Sequence, residues 1–131
     1  MIVKFATALI AGVAMLAASG AYAQEITGDP AAGEKVFKKC RACHAIDGKN
    51  KVGPHLDGVY GRVAGSVDKY KYSVGLKKFK EEGLVWNAET LAQYLPSPKD
   101  MVEKSKMTFK LTKEKDIENV IAYLAQISGV E

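Results

Sequence analysis

The chain of 131 residues has only two cysteines and two histidines. That scarcity weighs against a structural zinc site, which takes four ligands of this kind and would need every cysteine and histidine of the chain. There is no convincing run of alternating apolar and polar residues, so an ordinary β-sheet has no sequence support. No βαβ pattern, phosphate-binding loop, nucleophile–base set or metal-carboxylate cluster can be found. Repeats and low-complexity tracts are missing too. Only one long apolar run is present, and it lies at the N-terminus. The sequence excludes most enzyme classes by what it lacks, so the few unusual residues must carry the function.

The N-terminal run, MIVKFATALIAGVAMLAASGAYA, has one early lysine, Lys4, then an apolar stretch, then small residues ending in Ala-Tyr-Ala. This is the charged, apolar and cleavage-site order of a secretory signal. Cleavage after Ala23 would give a signal peptide over 1–23 and one small domain over 24–131. A retained leader, nearly long enough to span a bilayer, would instead make a membrane-tethered subunit. The whole chain carries a net charge of +4. Export puts the two cysteines in an oxidising compartment, where free thiols do not persist unused. They should therefore form a disulfide or be covalently occupied.

Four helices are legible. Asp29-Pro30 gives an N-cap followed by proline at the first helical position, and AAGEKVFKKC continues that helix. SVGLKKFKEE is a second, ended by Gly83. Asn87 caps AETLAQYL, which Pro96 stops. Thr112 is the expected cap of TKEKDIENVIAYLAQIS, where Ile117, Val120, Ile121, Leu124 and Ile127 follow helical spacing. The segment 45–72 has no helical stripe. It combines five glycines (48, 53, 58, 61 and 65) with Val52, Leu56, Val59, Tyr60, Val63, Tyr70 and Tyr72, which favour burial. Glycine permits close backbone approach, and a long loop of this composition suggests backbone wrapped around a flat apolar object. A buried cofactor would also add core to a domain too small to build much of its own.

Both cysteines and one histidine fall in CRACH, residues 40–44. On a helix Cys40, Cys43 and His44 share one face. C-x-x-C-H is the c-type haem attachment pattern: two thiols add to the two vinyl groups and the adjacent imidazole reaches the iron. A thioredoxin-like C-x-x-C would need a strand–helix setting that is missing here. For the sixth iron position the residues alone leave Met101, Met107, His55 and the lysines open. A thioether there would favour ferrous iron and raise the potential.

CRACH, GPHLDGVYGRVAG, WNAETLAQYL, SPKDMVEKSKMTF and IENVIAYLAQ, in that order, resemble the class I cytochromes c, and with the leader and many lysines most closely the bacterial cytochrome c2 variant. The resemblance spans nearly all of residues 28–127. It implies an all-α, small cytochrome c fold, with helices and loops wrapped around one covalently bound haem c. It implies Met107, in KMTF, as the sixth ligand opposite His44, with Met101 at a non-ligand position. Pro54 matches a proline whose carbonyl accepts a hydrogen bond from the histidine ligand. Arg62, Tyr72 and Trp86 match residues that hydrogen-bond the haem propionates. Tyr94 matches a tyrosine near the methionine sulfur, and Ser105 a hydroxyl residue by the inner propionate. Gly33 and Phe37 match the crossing of the terminal helices with Tyr123.

There are departures. Leu76 stands where mitochondrial members have an asparagine, about three residues are inserted in VGLKKFKEEG, and Glu103-Lys104 replaces Pro-Gly.

The resemblance also implies a role. With His44 and Met107 both on iron no coordination site stays open, which leaves one-electron exchange rather than enzymatic turnover. The expected protein is a monomeric periplasmic carrier, without stable membrane insertion. It would take electrons from a cytochrome bc complex and pass them to a photosynthetic reaction centre or a terminal oxidase. Lys39, Lys49, Lys51, Lys99, Lys104 and Lys106 would ring the exposed haem edge and attract acidic partners. Nucleic acid is not an expected partner, because export removes it. The alternative is a binding or sensing protein in which Met107 yields to a small ligand such as nitric oxide.

Overall fold

Helix α1, Pro30–Phe37, starts as the local chemistry dictates: the Asp29 carboxylate accepts the Ala31 N–H at 2.9 Å, and Pro30 occupies the first turn. A computed structural model describes residue 12 and residues 25–130. The leader and its cleavage position, residue 12 aside, lie outside them. The helix does not run on to Cys40 as the sequence predicts. After Phe37 the bonds tighten to the i+3 type, Lys39 N–H to Val36 O at 3.1 Å and Cys40 N–H to Phe37 O at 2.8 Å. Such bonds satisfy carbonyls at a fraying helix end. Cys43 and His44 then both donate to the Cys40 carbonyl, at 3.1 and 2.9 Å. The motif is thus a hydrogen-bonded turn rather than part of a continuous helix.

Helix α2, Val74–Glu82, is capped by Ser73 and closed by Gly83 at φ 73°. Helix α3, Ala88–Tyr94, has a reciprocal cap: Asn87 accepts the Thr90 N–H and Thr90 accepts the Asn87 N–H, each at 2.9 Å. A four-residue helix α4, Pro98–Met101, follows. Helix α5, Glu114–Ile127, has Lys113 and not Thr112 at its N-cap position, and no side chain caps it. Glu114 and Asp116 in its first turn place negative charge at the positive end of the helix dipole instead. The β pairing among the described residues is a single antiparallel bridge, Val63 to Val85. The fold is all-α.

Helices α1 and α5 cross at contact distance. A Cβ on Gly33 would overlap the Asn119 carbonyl, and one on Gly28 the Glu118 carbonyl. Phe37 packs on Tyr123 with ring centroids 5.3 Å apart. The buried Asn119 side chain accepts the Asp29 N–H at 2.9 Å, tying the start of α1 to the middle of α5. The stripe Ile117, Val120, Ile121 and Leu124 is buried. Segment 45–72 wraps the other side, with Gly48, Gly58, Gly61 and Gly65 at positive φ. Phe37, Val59, Trp86, Leu91, Leu95, Val120 and Leu124 belong to one core cluster and also line a cavity within it.

The α1–α5 crossing sets up a test of sign. Helix propensity alone predicts that Gly33→Ala gains about 1 kcal/mol. The close approach predicts a loss of about 2–3 kcal/mol from overpacking. Guanidinium unfolding of the holoprotein should show the loss, and a gain would mean that the two helices separate freely.

Candidate functional site

The cavity has a volume of about 380 Å³, within the roughly 300–1,000 Å³ of small-molecule and cofactor sites. Its wall includes Cys40, Cys43, His44, Pro54, Arg62, Tyr72, Trp86, Tyr94, Ser105 and Met107. Residues scattered over more than half the chain are thereby brought to one space. Met101 is not on the wall. Of the six lysines singled out from the sequence, Lys39 and Lys106 line the cavity. Lys49, Lys51, Lys99 and Lys104 are exposed but do not line it. Lys51 donates to the Arg41 carbonyl at 2.8 Å, and Lys106 to the Lys71 carbonyl at 2.7 Å.

His44 is held from behind. Its Nδ1 lies 2.7 Å from the Pro54 carbonyl oxygen. A carbonyl can only accept, so Nδ1 carries the proton and Nε2 keeps its lone pair. Burial pushes the imidazole below its ordinary range, and the Arg62 and Lys51 charges push the same way against the opposing pull of the Pro54 bond. The ring is therefore neutral, the form that binds metals. Gly53 packs flat on it: a Cβ at 53 would overlap the ring. The Gly53 N–H donates to the Cys43 carbonyl at 2.8 Å, so the loop is fastened to the motif next to the histidine. The two cysteines are not joined to each other in a disulfide, and Cys40 is half-buried and Cys43 exposed. Burial, with Cys43 beside it, pushes the Cys40 thiol up against the lowering effect of Lys39.

Met107 is held by two hydroxyl groups. The Tyr94 O–H donates to the Met107 sulfur at 3.4 Å. Burial pushes that phenol up to about 12, so it remains a donor across the ordinary pH range. The Ser105 hydroxyl accepts the Met107 N–H at 3.2 Å and donates to the Met107 carbonyl at 3.1 Å. Tyr94 also packs against Trp86, with ring centroids 4.9 Å apart.

Polar groups gather on another part of the wall. Arg62 Nη2 donates to the His55 carbonyl at 2.8 Å, and burial pulls its guanidinium below its ordinary value. The Tyr72 hydroxyl accepts the Val67 N–H at 3.0 Å. Tyr70 and Ser73 line the cavity near them in sequence.

Sequence reasoning missed most of the apolar lining. Leu91 and Leu95 lie one turn apart on and just beyond α3, and Val120 and Leu124 one turn apart on α5. Their i, i+4 spacing identifies them as inward-facing but cannot tell a cavity wall from solid core.

A flat apolar cofactor with acidic edges fits this arrangement. The wall is mostly aliphatic and aromatic, two thiols and an imidazole lie on one segment, a thioether lies on another, and a cation with tyrosine hydroxyls offers donors. Among the described residues, no group of three or more His, Cys, Asp or Glu could hold a bare metal ion. No described helix is long and apolar enough to cross a membrane.

Comparisons with known proteins agree with this geometry. The Cytochrome c family model matches residues 30–128. A cytochrome c2 of Rhodospirillum rubrum is 52% identical over 128 residues, covering 88% of this chain and 93% of that protein. A cytochrome c2 of Cereibacter sphaeroides is 42% identical over 143 residues, covering 95% and 97%. Among solved structures, the ferricytochrome c2 of Rhodopseudomonas palustris superposes with a TM-score of 0.71 at 42% identity, covering 76% of this chain and 98% of that one. Cytochrome cH from Methylobacterium extorquens gives 0.69 at 46%, covering 76% and 99%.

Proposed function

The chain belongs to the cytochrome c family, and from that premise we propose that it is an exported one-electron shuttle whose haem iron is held between His44 and Met107. It is a c-type cytochrome most like cytochrome c2, with one covalent haem c, and an electron carrier rather than an enzyme. Cys40 and Cys43 supply the attachment motif. The observation that carries the proposal is the cavity wall, which holds His44, with its Nδ1 engaged by Pro54, and Met107, with its sulfur engaged by Tyr94.

When bound, the haem supplies a ferric–ferrous couple that takes up and releases one electron. The protein's part is to set the potential and to keep both ligands in place. Pro54 fixes the histidine tautomer and ring orientation. A thioether ligand favours the ferrous state. The apolar wall excludes water and so disfavours the additional charge of ferric iron, which raises the potential further. Arg62, Tyr72 and Trp86 supply donors for the propionates, and Ser105 acts by fixing the Met107 backbone. Oxidised and reduced optical spectra of native protein test the assignment. A low-spin six-coordinate haem in both states is expected, and a five-coordinate ferrous spectrum would refute it.

The partners follow from charge and compartment. The leader-like residues 1–23 support export to the periplasm. There a cytochrome bc complex would be the donor, and a photosynthetic reaction centre or terminal oxidase the acceptor. Lys39 and Lys106 border the cavity, and Lys49, Lys51, Lys99 and Lys104 extend the exposed basic set. Electrostatic steering raises association rates about 10- to 1,000-fold and fades as salt rises. Lys39→Glu should therefore slow second-order electron transfer to a purified reaction centre at low salt. The penalty should vanish near 1 M, where the Debye length is about 3 Å. Lys115 on α5 is exposed, paired with Glu118 at 3.7 Å and not on the cavity wall, and Lys115→Glu serves as the control. Equal slowing in both variants would reduce the basic ring to ordinary solvated surface.

A further inference from the structure

Helix α2 meets the loop that carries Met107 backbone to backbone. The Gly75 N–H, in the first turn of α2, donates to the Glu103 carbonyl at 3.1 Å. A Cβ at position 75 would lie 2.6 Å from both the nitrogen and the oxygen of Glu103 and 2.7 Å from Val102 Cγ1. Val102 cannot move aside easily: it is fully buried, and its N–H is bonded to the Pro98 carbonyl at 2.9 Å. Glycine in a helix costs about 1 kcal/mol relative to alanine. Local preference therefore argues against Gly75, and only the close approach accounts for it.

The loop on the far side of this contact is strained. Lys104 has φ 53°, left-handed backbone that costs a residue with a side chain about 1–2 kcal/mol. A conformation of that kind persists only where its surroundings over-determine it. Ser105 follows, its N–H donating to the Val102 carbonyl at 3.2 Å and its hydroxyl gripping the Met107 backbone at both ends. A continuous series of contacts thus runs from Gly75 through Glu103, Lys104 and Ser105 to Met107.

We propose that Gly75 is a positioning residue for the methionine ligand: its missing side chain seats α2 against Glu103 and keeps the strained loop pressed inward. Any side chain at 75 drives Glu103 outward and lets Lys104 relax, and the thioether's hold on the iron weakens. This rests on Met107 being the sixth ligand.

The test uses ferric holoprotein with imidazole as the competing ligand. Gly75→Ala should tighten imidazole binding about tenfold, the size expected from overpacking against fixed backbone. Gly83→Ala is the control. It strains the C-terminal end of the same helix, at φ 73°, with nothing within 4 Å of the new methyl. It should lower the unfolding midpoint yet leave imidazole affinity within about twofold, as for sites that share no contacts. A Gly75→Ala protein that loses stability with unchanged imidazole affinity would overturn the proposal and leave Gly75 a packing residue only. Should that variant not fold, the wild type answers by amide exchange. Saturating imidazole should cut protection of the Gly75 N–H at least about tenfold while the Val120 amide in α5 stays protected, as for a local opening. Unchanged Gly75 protection would overturn the coupling. The ligand assignment fails separately, if Met107→Ala leaves imidazole affinity at the wild-type value.

Discussion

Replacing Cys40 and Cys43 together by serine should leave essentially no stable holoprotein. The two thiols lie on one hydrogen-bonded turn, fastened to Gly53 and followed directly by His44. Without thioether bonds the cofactor is held by axial ligation and packing alone, and it can leave. The cavity it would vacate measures about 380 Å³. At about 24 cal/mol per Å³ of unfilled volume, that corresponds to about 9 kcal/mol. A small domain has about 5–15 kcal/mol of stability in total. The apoprotein should therefore be largely unfolded, with low helical signal in circular dichroism and rapid proteolysis. Acid–acetone extraction of the native protein gives the complementary check, since thioether-bound haem stays with the chain. Haem passing into acetone from native protein, or a double-serine variant that retains its haem through purification, would sink covalent attachment.

The attachment turn shows why so much of this site is legible in the sequence. CRACH gathers both cysteines of the chain within four positions. Cofactor attachment needs thiols and imidazole at that spacing, whatever the rest of the fold does. Helices α3 and α5 are legible because each contains a full apolar period, and α3 also carries its reciprocal cap. What remains hidden has physical reasons. Four residues of α4 hold no period, and Thr112 resembles a cap although the helix starts two residues later on acidic side chains. The break after Phe37 depends on where the chain must turn to bring His44 beneath Gly53, a tertiary requirement. Ser105 illustrates a further limit. A hydroxyl can serve a propionate or a backbone, and only the folded structure shows it bonded to Met107 at both N and O. The seat of Glu103 on Gly75 joins backbone atoms far apart in the chain, and nothing in the identity of either residue announces it.

Met107→Ala should change the chemistry of the iron by removing one of its two proposed axial ligands. The sulfur lines the cavity and accepts the Tyr94 O–H at 3.4 Å, an orientation ordinary core methionines have no need of. With Met107 as the proposed sixth ligand, removing the sulfur opens a coordination position. The ferrous protein should then bind carbon monoxide at neutral pH, which the wild type should not. Loss of the thioether also removes its preference for ferrous iron. Axial ligation spans about 0.8 V across haem proteins, and a fall on the order of a hundred millivolts or more is expected. Met101→Ala is the discriminating control. Met101 packs on the core but does not line the cavity. Its truncation should cost about 2–5 kcal/mol of stability at most and leave both the carbon monoxide response and the potential in place. Tyr94→Phe should fall between them: the sulfur keeps its place on the wall, but one hydrogen bond of about 1 kcal/mol is lost, giving a small shift in potential and no open position. Carbon monoxide binding that appears in Met101→Ala and not in Met107→Ala would put the wrong methionine on the iron, and with it the loop alignment on which Lys106, Ser105 and Gly75 are all placed.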